Sequence, residues 1–278
     1  MNAVERSARW IKSKCGLRDS SLLTTAIRPY YDGFLESVYG RRGLVRVMDG
    51  QERILVRPAY RNFRDDYEAG LFHCLRHIVH AGDVVIEVGA NVGIFTVLLA
   101  RWSAPGGRVF AFEPSPMTKA ALEDHLMLNG AEGNVTVVPA ALSDSAGPSH
   151  FYVEGTSGQN TLSSSHSRVP NAECVTVSVD TLDAFCAANH LKPSLIKIDV
   201  EGFEYHVLRG SLQTLLGAAA RVVVEFHPML WAEIGVTQSD IERLLEHAQY
   251  DCSPVSGQRD VYQEYGHVLL ESRRRAAR

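Results

Sequence analysis

Residues 84–100 read VVIEVGANVGIFTVLLA. An apolar run carries the acid Glu87, crosses a turn bracketed by Gly89 and Gly93, and continues as an apolar segment of helical character. A short buried strand that feeds a glycine turn and then a helix is the opening unit of a parallel α/β sheet that binds a nucleotide. Glycine serves such a turn because it accepts positive φ and lets a ligand approach the backbone closely. The rest of the chain must say which nucleotide is bound, and for what chemistry.

The same alternation extends outward from this unit. On its N-terminal side, YEAGLFHCLRHIVHAG (67–82) has apolar residues at helical spacing and stops at Gly82. On its C-terminal side, strands are expected in GRVFAFEP (107–114), NVTVVPAALSD (134–144), ECVTVSVDTL (173–182), SLIKIDVEG (194–202) and ARVVVEFHP (220–228). Between them lie helical patterns: SPMTKAALEDHLMLNG with Ser115 as N-cap and Pro116 in its first turn, then DAFCAANHL, EYHVLRGSLQTLLG and SDIERLLEHAQ. VYQEYGHVLLES (261–272) is expected to supply a last pair of strands, while SHFYVEG and TSGQNTLSSSHS (149–167) form a polar excursion. Apolar strands alternating with amphipathic helices imply an α/β fold whose mostly parallel sheet is covered on both faces. Ligands in such sheets sit at the carboxyl ends of the strands, where strand order reverses.

Three regions follow from this pattern: an N-terminal extension (1–66), the α/β domain (67–272) and a basic tail (273–278). In the extension, LVRVMD (44–49) and ERILVRP (52–58) flank Gly50 as a β-hairpin would. The net charge of −4 gives no reason to expect nucleic acid as a partner. Cys15, Cys74, Cys174, Cys186 and Cys252 form no Cys-x-x-Cys pair, which suggests reduced, mostly buried thiols rather than a zinc site or disulfide framework. The start lacks the apolar core of a signal peptide, and the longest apolar runs are too short and too polar to span a membrane. A cytoplasmic location is expected.

A dinucleotide fingerprint would place glycines at 89, 91 and 94, where this chain has Gly89, Asn91 and Ile94. Asn91 still tolerates the left-handed conformation, so the turn survives. Glu87 would repel a pyrophosphate but suits a ligand with a cationic amino group, and S-adenosyl-L-methionine is such a ligand, zwitterionic and free of phosphate. Glu113 ends the next strand, where a carboxylate accepts both ribose hydroxyls. Pro114 follows it, and Ser143 and Asp144 follow the third strand, within reach of an adenine amino group. The expected cofactor site is therefore Glu87, Gly89, Ala90, Asn91, Gly93, Glu113, Pro114, Ser143 and Asp144.

GDVVIEVGANVGIFTVLLA, VFAFEPSP, LIKIDVEGFEYHVLRG and VVVEFHP together resemble the FkbM family of S-adenosylmethionine-dependent methyltransferases, from about Tyr67 to Asp251, with SVDTL (178–182) also in place. The resemblance implies the Rossmann-like class I methyltransferase fold, a seven-stranded sheet with its last strand antiparallel. It also implies an O-methyltransferase acting on a hydroxyl of a sugar or a glycosylated or secondary metabolite. Two readings compete: an NAD-dependent oxidoreductase, against which Glu87, Asn91 and Ile94 argue, and a non-catalytic nucleoside-binding protein.

A sulfonium methyl is already electrophilic, so the enzyme needs alignment and a base for the acceptor proton. The candidates are Asp199, Glu201 and His227, at the ends of the strands LIKID and VVVEFHP. Asp199 and Glu201 both face the cleft only if the chain turns at Val200-Glu201-Gly202. Glu225 and His227, two apart, share a side. At its reference pKa near 6.5, His227 is the natural base, with Glu201 orienting it or taking the proton itself. Lys197 is expected to pair with a carboxylate. Asp199, Glu201, Glu225 and His227 could alternatively hold a divalent cation; no metal is expected, because Lys197 competes with one. The loop GTSGQNTLSSSH (155–166) is a candidate lid, and His73, His77 and His80 mark a helix face rather than a metal motif.

Overall fold

The computed structural model describes residues 22–62, 66–153, 162 and 173–276. Helix α1 (Leu22–Tyr39) leads into a hairpin of β1 (Leu44–Met48) and β2 (Glu52–Val56), with Leu44 opposite Val56 and Met48 opposite Glu52. The expected turn is present. Asp49 and Gly50 take φ of 46° and 67°, and the Gln51 N–H closes the turn on the Met48 carbonyl at 2.9 Å. Two left-handed residues match the twist of a two-stranded ribbon, and Asp-Gly tolerates them. Leu44, Met48, Ile54 and Val56 turn inward and pack with Leu71, Phe72 and Leu75 of α2 (Ala69–Ile78).

The alternation then proceeds as β3 (Val84–Val88), α3 (Ile94–Ser103), β4 (Arg108–Phe112), α4 (Pro116–Asn129) and β5 (Val135–Val138). Ser115 caps α4 as expected, its hydroxyl accepting the Thr118 N–H at 3.5 Å. A second sheet of β6 (Ala140–Leu142), β7 (Gly147–Val153) and β8 (Glu173–Asp180) follows, in the order β6-β8-β7. The chain returns through α5 (Leu182–Ala188), β9 (Leu195–Ile198), α6 (Glu204–Arg209), α7 (Leu212–Ala218) and β10 (Arg221–Phe226). It ends with α8 (Pro228–Trp231), α9 (Gln238–Ala248), β11 (Tyr250–Pro254), β12 (Gly266–Ser272) and α10 (Arg273–Ala276).

The main sheet has seven strands in the order β11-β12-β10-β9-β3-β4-β5, with β12 antiparallel to both neighbours. This is the seven-stranded arrangement that the family resemblance implies. Its strand residues alternate between two apolar layers: Val85, Val109, Leu195 and Val223 face one, Ile86, Phe110, Ile196 and Val222 the other. Each such side chain stabilises the fold by about 1.5–3 kcal/mol relative to exposure, so both faces must stay covered and register is fixed. Strand order reverses between β3 and β9, which places a ligand at their carboxyl ends. No helix among the described residues is long and apolar enough to cross a membrane.

Several local expectations fail. Residues 134–144 are two strands in two sheets, because Pro139 has no N–H for the ladder: Val135–Val138 pairs with β4 and Ala140–Leu142 with β8. The supposed polar excursion at 149–153 is part of β7. EYHVLRGSLQTLLG breaks into α6 and α7 at Gly210, where a Cβ would collide with the Ser143 carbonyl. The final strand pair is Tyr250–Pro254 with Gly266–Ser272, since the segment before β12 turns over the Asp260 carbonyl. Arg273 is no loose tail residue but an ion-pair partner of Glu246 and Asp251. Among the described cysteines all are free and Cys186 alone is buried. The proposed lid falls outside the described residues, Leu162 excepted.

Candidate active site

The turn after β3 is built by backbone bonds to β4. The N–H groups of Gly89 and Ala90 both donate to the Phe112 carbonyl, at 3.1 and 3.0 Å, and Gly93 donates to Ala90 at 2.9 Å. Gly89 has φ of 79°, and a Cβ there would collide with the Asp199 carbonyl, so only glycine lets the turn pass the end of β9. Asn91 adopts the left-handed conformation at φ 48°. Its N–H donates to Glu113 Oε2 at 2.8 Å, while Glu113 Oε1 accepts the Ser115 N–H at 2.9 Å and the Thr118 hydroxyl at 2.6 Å. Burial raises the Glu113 pKa, and the bonds from Thr118, Ser115 and Asn91 oppose that rise. A carboxylate offers about four acceptor positions, so three donors hold it in one orientation and leave one position open.

Beside this turn lies an open cleft bounded by Gly89, Asn91, Glu113, Pro114, Asp199 and Glu201 among others. Phe112, Leu142 and Phe151 supply apolar wall. The Asn91 Oδ1 atom is buried and has no hydrogen-bond partner among the described residues. A buried orphan acceptor is costly unless a ligand donor meets it, and Asn91 is one of the residues that line the cleft.

Five of the nine expected cofactor residues do not border the cleft: Ala90 and Gly93 belong to the turn behind it, and Glu87, Ser143 and Asp144 lie elsewhere. Glu87 is fully buried beneath the turn, where its Oε2 accepts the Thr96 hydroxyl at 2.6 Å and its Oε1 lies 3.7 Å from Lys197 Nζ. Being on the α3 side of β3, it does not reach the cleft. Asp144 is taken up by His206, whose Nδ1 lies 2.8 Å from its Oδ2, and by Arg209; Ser143 is 3.5 Å from Asp144 and donates its N–H to the Asp180 carbonyl. The residues just before them, Ala140 to Leu142, border the cleft instead.

At the other end, the chain does turn at Val200-Glu201-Gly202: Glu201 has φ of 47° and Gly202 of 99°, which brings both Asp199 and Glu201 to the cleft. A left-handed glutamate costs about 1–3 kcal/mol and is kept where the surroundings over-determine it. Here they do. Glu204, fully buried, accepts the Gly202 N–H at 2.7 Å and the Trp231 indole N–H at 2.8 Å, and its Oε1 lies 2.8 Å from His227 Nδ1. The far ring nitrogen of His227 stands 3.4 Å from Glu201 and 3.7 Å from Glu225.

These neighbours overturn the expectation of a neutral His227. Burial alone would lower its pKa, but the bond to Glu204 and the negative charge around the ring, that of Glu204 first, lift it to about 9. Asp199 shows the converse: burial would raise it, yet Lys197 Nζ at 3.5 Å and a bond from Glu225 hold it low. Glu225 is pushed up to about 9 by burial, by the Asp199 charge and by its bond to Asp199. Burial pushes the His267 imidazole, whose Nε2 has no hydrogen-bond partner among the described residues, down to about 4. Lys197 pairs with carboxylates as expected. Among the described residues no three His, Cys, Asp or Glu side chains converge as a metal site would require.

Glu204, Tyr265 and His267 were not singled out from the sequence. Glu204 had a faint signal, an acid two residues after Gly202 in the first turn of a helix. His267 had none, because it meets Glu225 only through antiparallel pairing of β12 with β10.

Residues 87–252 match the methyltransferase FkbM domain. The chain is 30% identical over 170 residues to hexuronic acid methyltransferase AglP of Haloferax volcanii, a match spanning 60% of this chain and 63% of that protein. It is 43% identical over 86 residues to 31-O-demethyl-FK506 methyltransferase FkbM of Streptomyces tacrolimicus, spanning 30% of this chain and 32% of that one. Among solved structures it is similar to methyltransferase FkbM from Methylobacillus flagellatus KT, with a TM-score of 0.47, 15% identity, and coverage of 68% of this chain and 43% of that one.

Proposed function

The chain belongs to the FkbM methyltransferase family, and on that premise we propose that it transfers the methyl group of S-adenosylmethionine to a hydroxyl of a sugar or of a glycosylated or secondary metabolite. The observation that carries this reading is the two-ended cleft: Asn91 and Glu113 at one end, Asp199 and Glu201 at the other. Glu113 takes the ribose hydroxyls with its open acceptor position, and Asn91 Oδ1 meets a cofactor N–H or O–H. Gly89, Ala90 and Gly93 shape the turn, and Phe112, Pro114 and Leu142 flank the base. Glu87 acts from beneath, through Thr96 and Lys197. Ser143 and Asp144 are assigned no ligand contact.

When bound, S-adenosylmethionine supplies an electrophilic methyl. Asp199, anionic and held by Lys197, accepts the proton of the acceptor hydroxyl. Glu201 orients the acceptor, and His227, charged at neutral pH and behind Glu201, fixes that carboxylate. A positioned base contributes about 10²–10⁴-fold. The turn supports this cofactor over a dinucleotide, since the N–H groups of Gly89, Ala90, Asn91 and Gly93 are already donated within the protein and leave a pyrophosphate few donors.

Calorimetry with S-adenosylmethionine, its demethylated product and NAD tests the cofactor, and labelled-methyl transfer to a panel of saccharides and hydroxylated metabolites tests the reaction. Binding of NAD alone, or cofactor binding with no transfer to any hydroxyl, would sink the proposal.

A further inference from the structure

Glu225 does not border the cleft, yet it is a closely surrounded carboxyl behind Asp199, which does. It is 5% exposed. The Tyr265 hydroxyl donates to its Oε1, His267 Nε2 stands 3.6 Å from that same oxygen, and His227 Nε2 stands 3.7 Å from Oε2. Its remaining close neighbour is the Asp199 carboxyl, with which it is in hydrogen-bond contact. Two carboxyl groups cannot share a hydrogen bond unless one carries the proton, since two carboxylates at that separation repel. Asp199 faces the Lys197 cation at 3.5 Å and is the one that ionises. The proton therefore resides on Glu225.

We infer that Glu225 works as a neutral carboxylic acid, a positioning residue whose O–H donates to Asp199 and aims the carboxylate that faces the cleft. The inference rests on the proposed role of Asp199 as proton acceptor. Its chemistry is that of a fixed donor. A bond from a neutral acid orients Asp199 without adding charge, whereas an ionised Glu225 would push Asp199 away from it. The neighbours of Glu225 divide: the Tyr265 hydroxyl and the His227 cation favour its ionised form, while burial and the Asp199 carboxylate favour the neutral acid and outweigh them. Lys197 and Asp199 come from β9 and its exit, His227 from the end of β10, Tyr265 and His267 from the start of β12, and Tyr67 from the segment before α2. His267 is pushed down to about 4 and is neutral at pH 7, so His227 and Lys197 are the cations near it. The raised pKa of Glu225, about 9, agrees with the geometry.

The test compares Glu225→Ala with Glu225→Gln, whose amide donates and accepts as an un-ionised acid does. Glu225→Ala leaves Asp199 free to swing and lowers turnover by up to about 10²-fold, the scale of an ångström-sized misplacement. Glu225→Gln recovers most of that loss. Wild-type turnover falls as pH passes about 9 and Glu225 ionises. In Glu225→Gln that component of the fall is absent, while the contribution of His227 remains in both proteins. Infrared difference spectra supply a readout that needs no substrate: the wild type at pH 7 has a carbonyl band of an un-ionised acid that Glu225→Gln lacks and that disappears on titration to high pH. A Gln variant as inactive as the Ala variant, with an intact fold, overturns the inference, as does the absence of that band. If the wild type binds no S-adenosylmethionine, the proposed function fails while the infrared titration still decides the state of Glu225.

Discussion

The two ends of the cleft hold their carboxylates in opposite ways. At the Glu113 end, the acid is gripped by N–H and O–H groups from its own turn and the neighbouring one, and no cation takes part. At the Asp199 end, acids and bases grip one another: Lys197 against Glu87 and Asp199, His227 against Glu204, Glu201 and Glu225. The first arrangement is a mould, set chiefly by backbone geometry, with the Asp199 charge a lesser influence on its acid. The second is a network in which the charge of each member depends on the rest, so pKa values move by units and one substitution is felt by several groups. Binding suits the mould. Proton transfer needs the network.

If this contrast is right, the largest loss should come where the mould and network touch. A Cβ at Gly89 meets the Asp199 carbonyl, backbone against backbone, at a left-handed φ. Gly89→Val is expected to lower stability by roughly 3–5 kcal/mol, combining overpacking with the left-handed penalty. The effect falls on the fold, and cofactor binding is lost with it. Denaturant unfolding checks this; an unchanged midpoint would mean the turn and β9 are less tightly apposed than described. Next in size, Asp199→Asn should cut kcat by about 10²–10⁴-fold, with a smaller change in cofactor affinity measured by calorimetry. Equal losses in both would erase the division of labour between the two ends.

The contrast also explains what the sequence disclosed. The mould was legible because its parts are local: Gly89, Asn91 and Gly93 form one turn, and Glu113 with Ser115 ends the adjacent strand. The strands themselves were legible through their alternation between two apolar layers. Where the reading failed, the deciding contact was distant or required a backbone detail. Pro139 moved half of a strand into another sheet. Glu87 was judged by its place after a strand, but the period of two sends it to the α3 side. The network was half legible. Asp199, Glu201 and His227 stood out as polar strand ends, yet Glu204, Tyr265 and His267 reach them only through packing. For that reason the neutral His227 expected from its reference pKa is replaced by a charged one.

A third test weakens the mould without breaking it. Removing the Glu113 side chain entirely would strand the buried Ser115 N–H, at about 1–3 kcal/mol, and the half-buried Asn91 N–H, while the Thr118 hydroxyl keeps the Ser115 carbonyl as acceptor. Glu113→Gln keeps an acceptor and the shape but loses the charge. Cofactor affinity should fall by about 1.5–3 kcal/mol, the worth of a hydrogen bond to a charged group, with a melting temperature changed less than in Glu113→Ala. Affinity equal to wild type in a calorimetric titration would move the ribose contact off Glu113.

The smallest effect, and the most specific to the network, is the pH dependence of stability. His227 is raised to about 9 in the folded protein, above its reference near 6.5. The native state therefore binds a proton that the unfolded chain releases between those values, so this contribution is complete below about 6.5 and is lost as pH rises through about 9. Glu225, also raised to about 9, acts in the same direction over a wider span that begins near the reference value of an unfolded glutamate, about 4.3. His267 acts oppositely. Lowered to about 4, it leaves the unfolded chain holding more protons, so stability rises with pH until about 6.5. Between about 4 and 6.5 the Glu225 and His267 contributions oppose each other; from about 6.5 to 9 His227 and Glu225 add. Denaturation midpoints should thus be nearly flat on the acid side of that range and decline above it. His227→Gln should make the decline shallower without abolishing it, because Glu225 remains. A variant whose midpoint tracks the wild type through pH 9 would show that His227 is not charged in the fold, and Glu201 would then have lost its supporting cation.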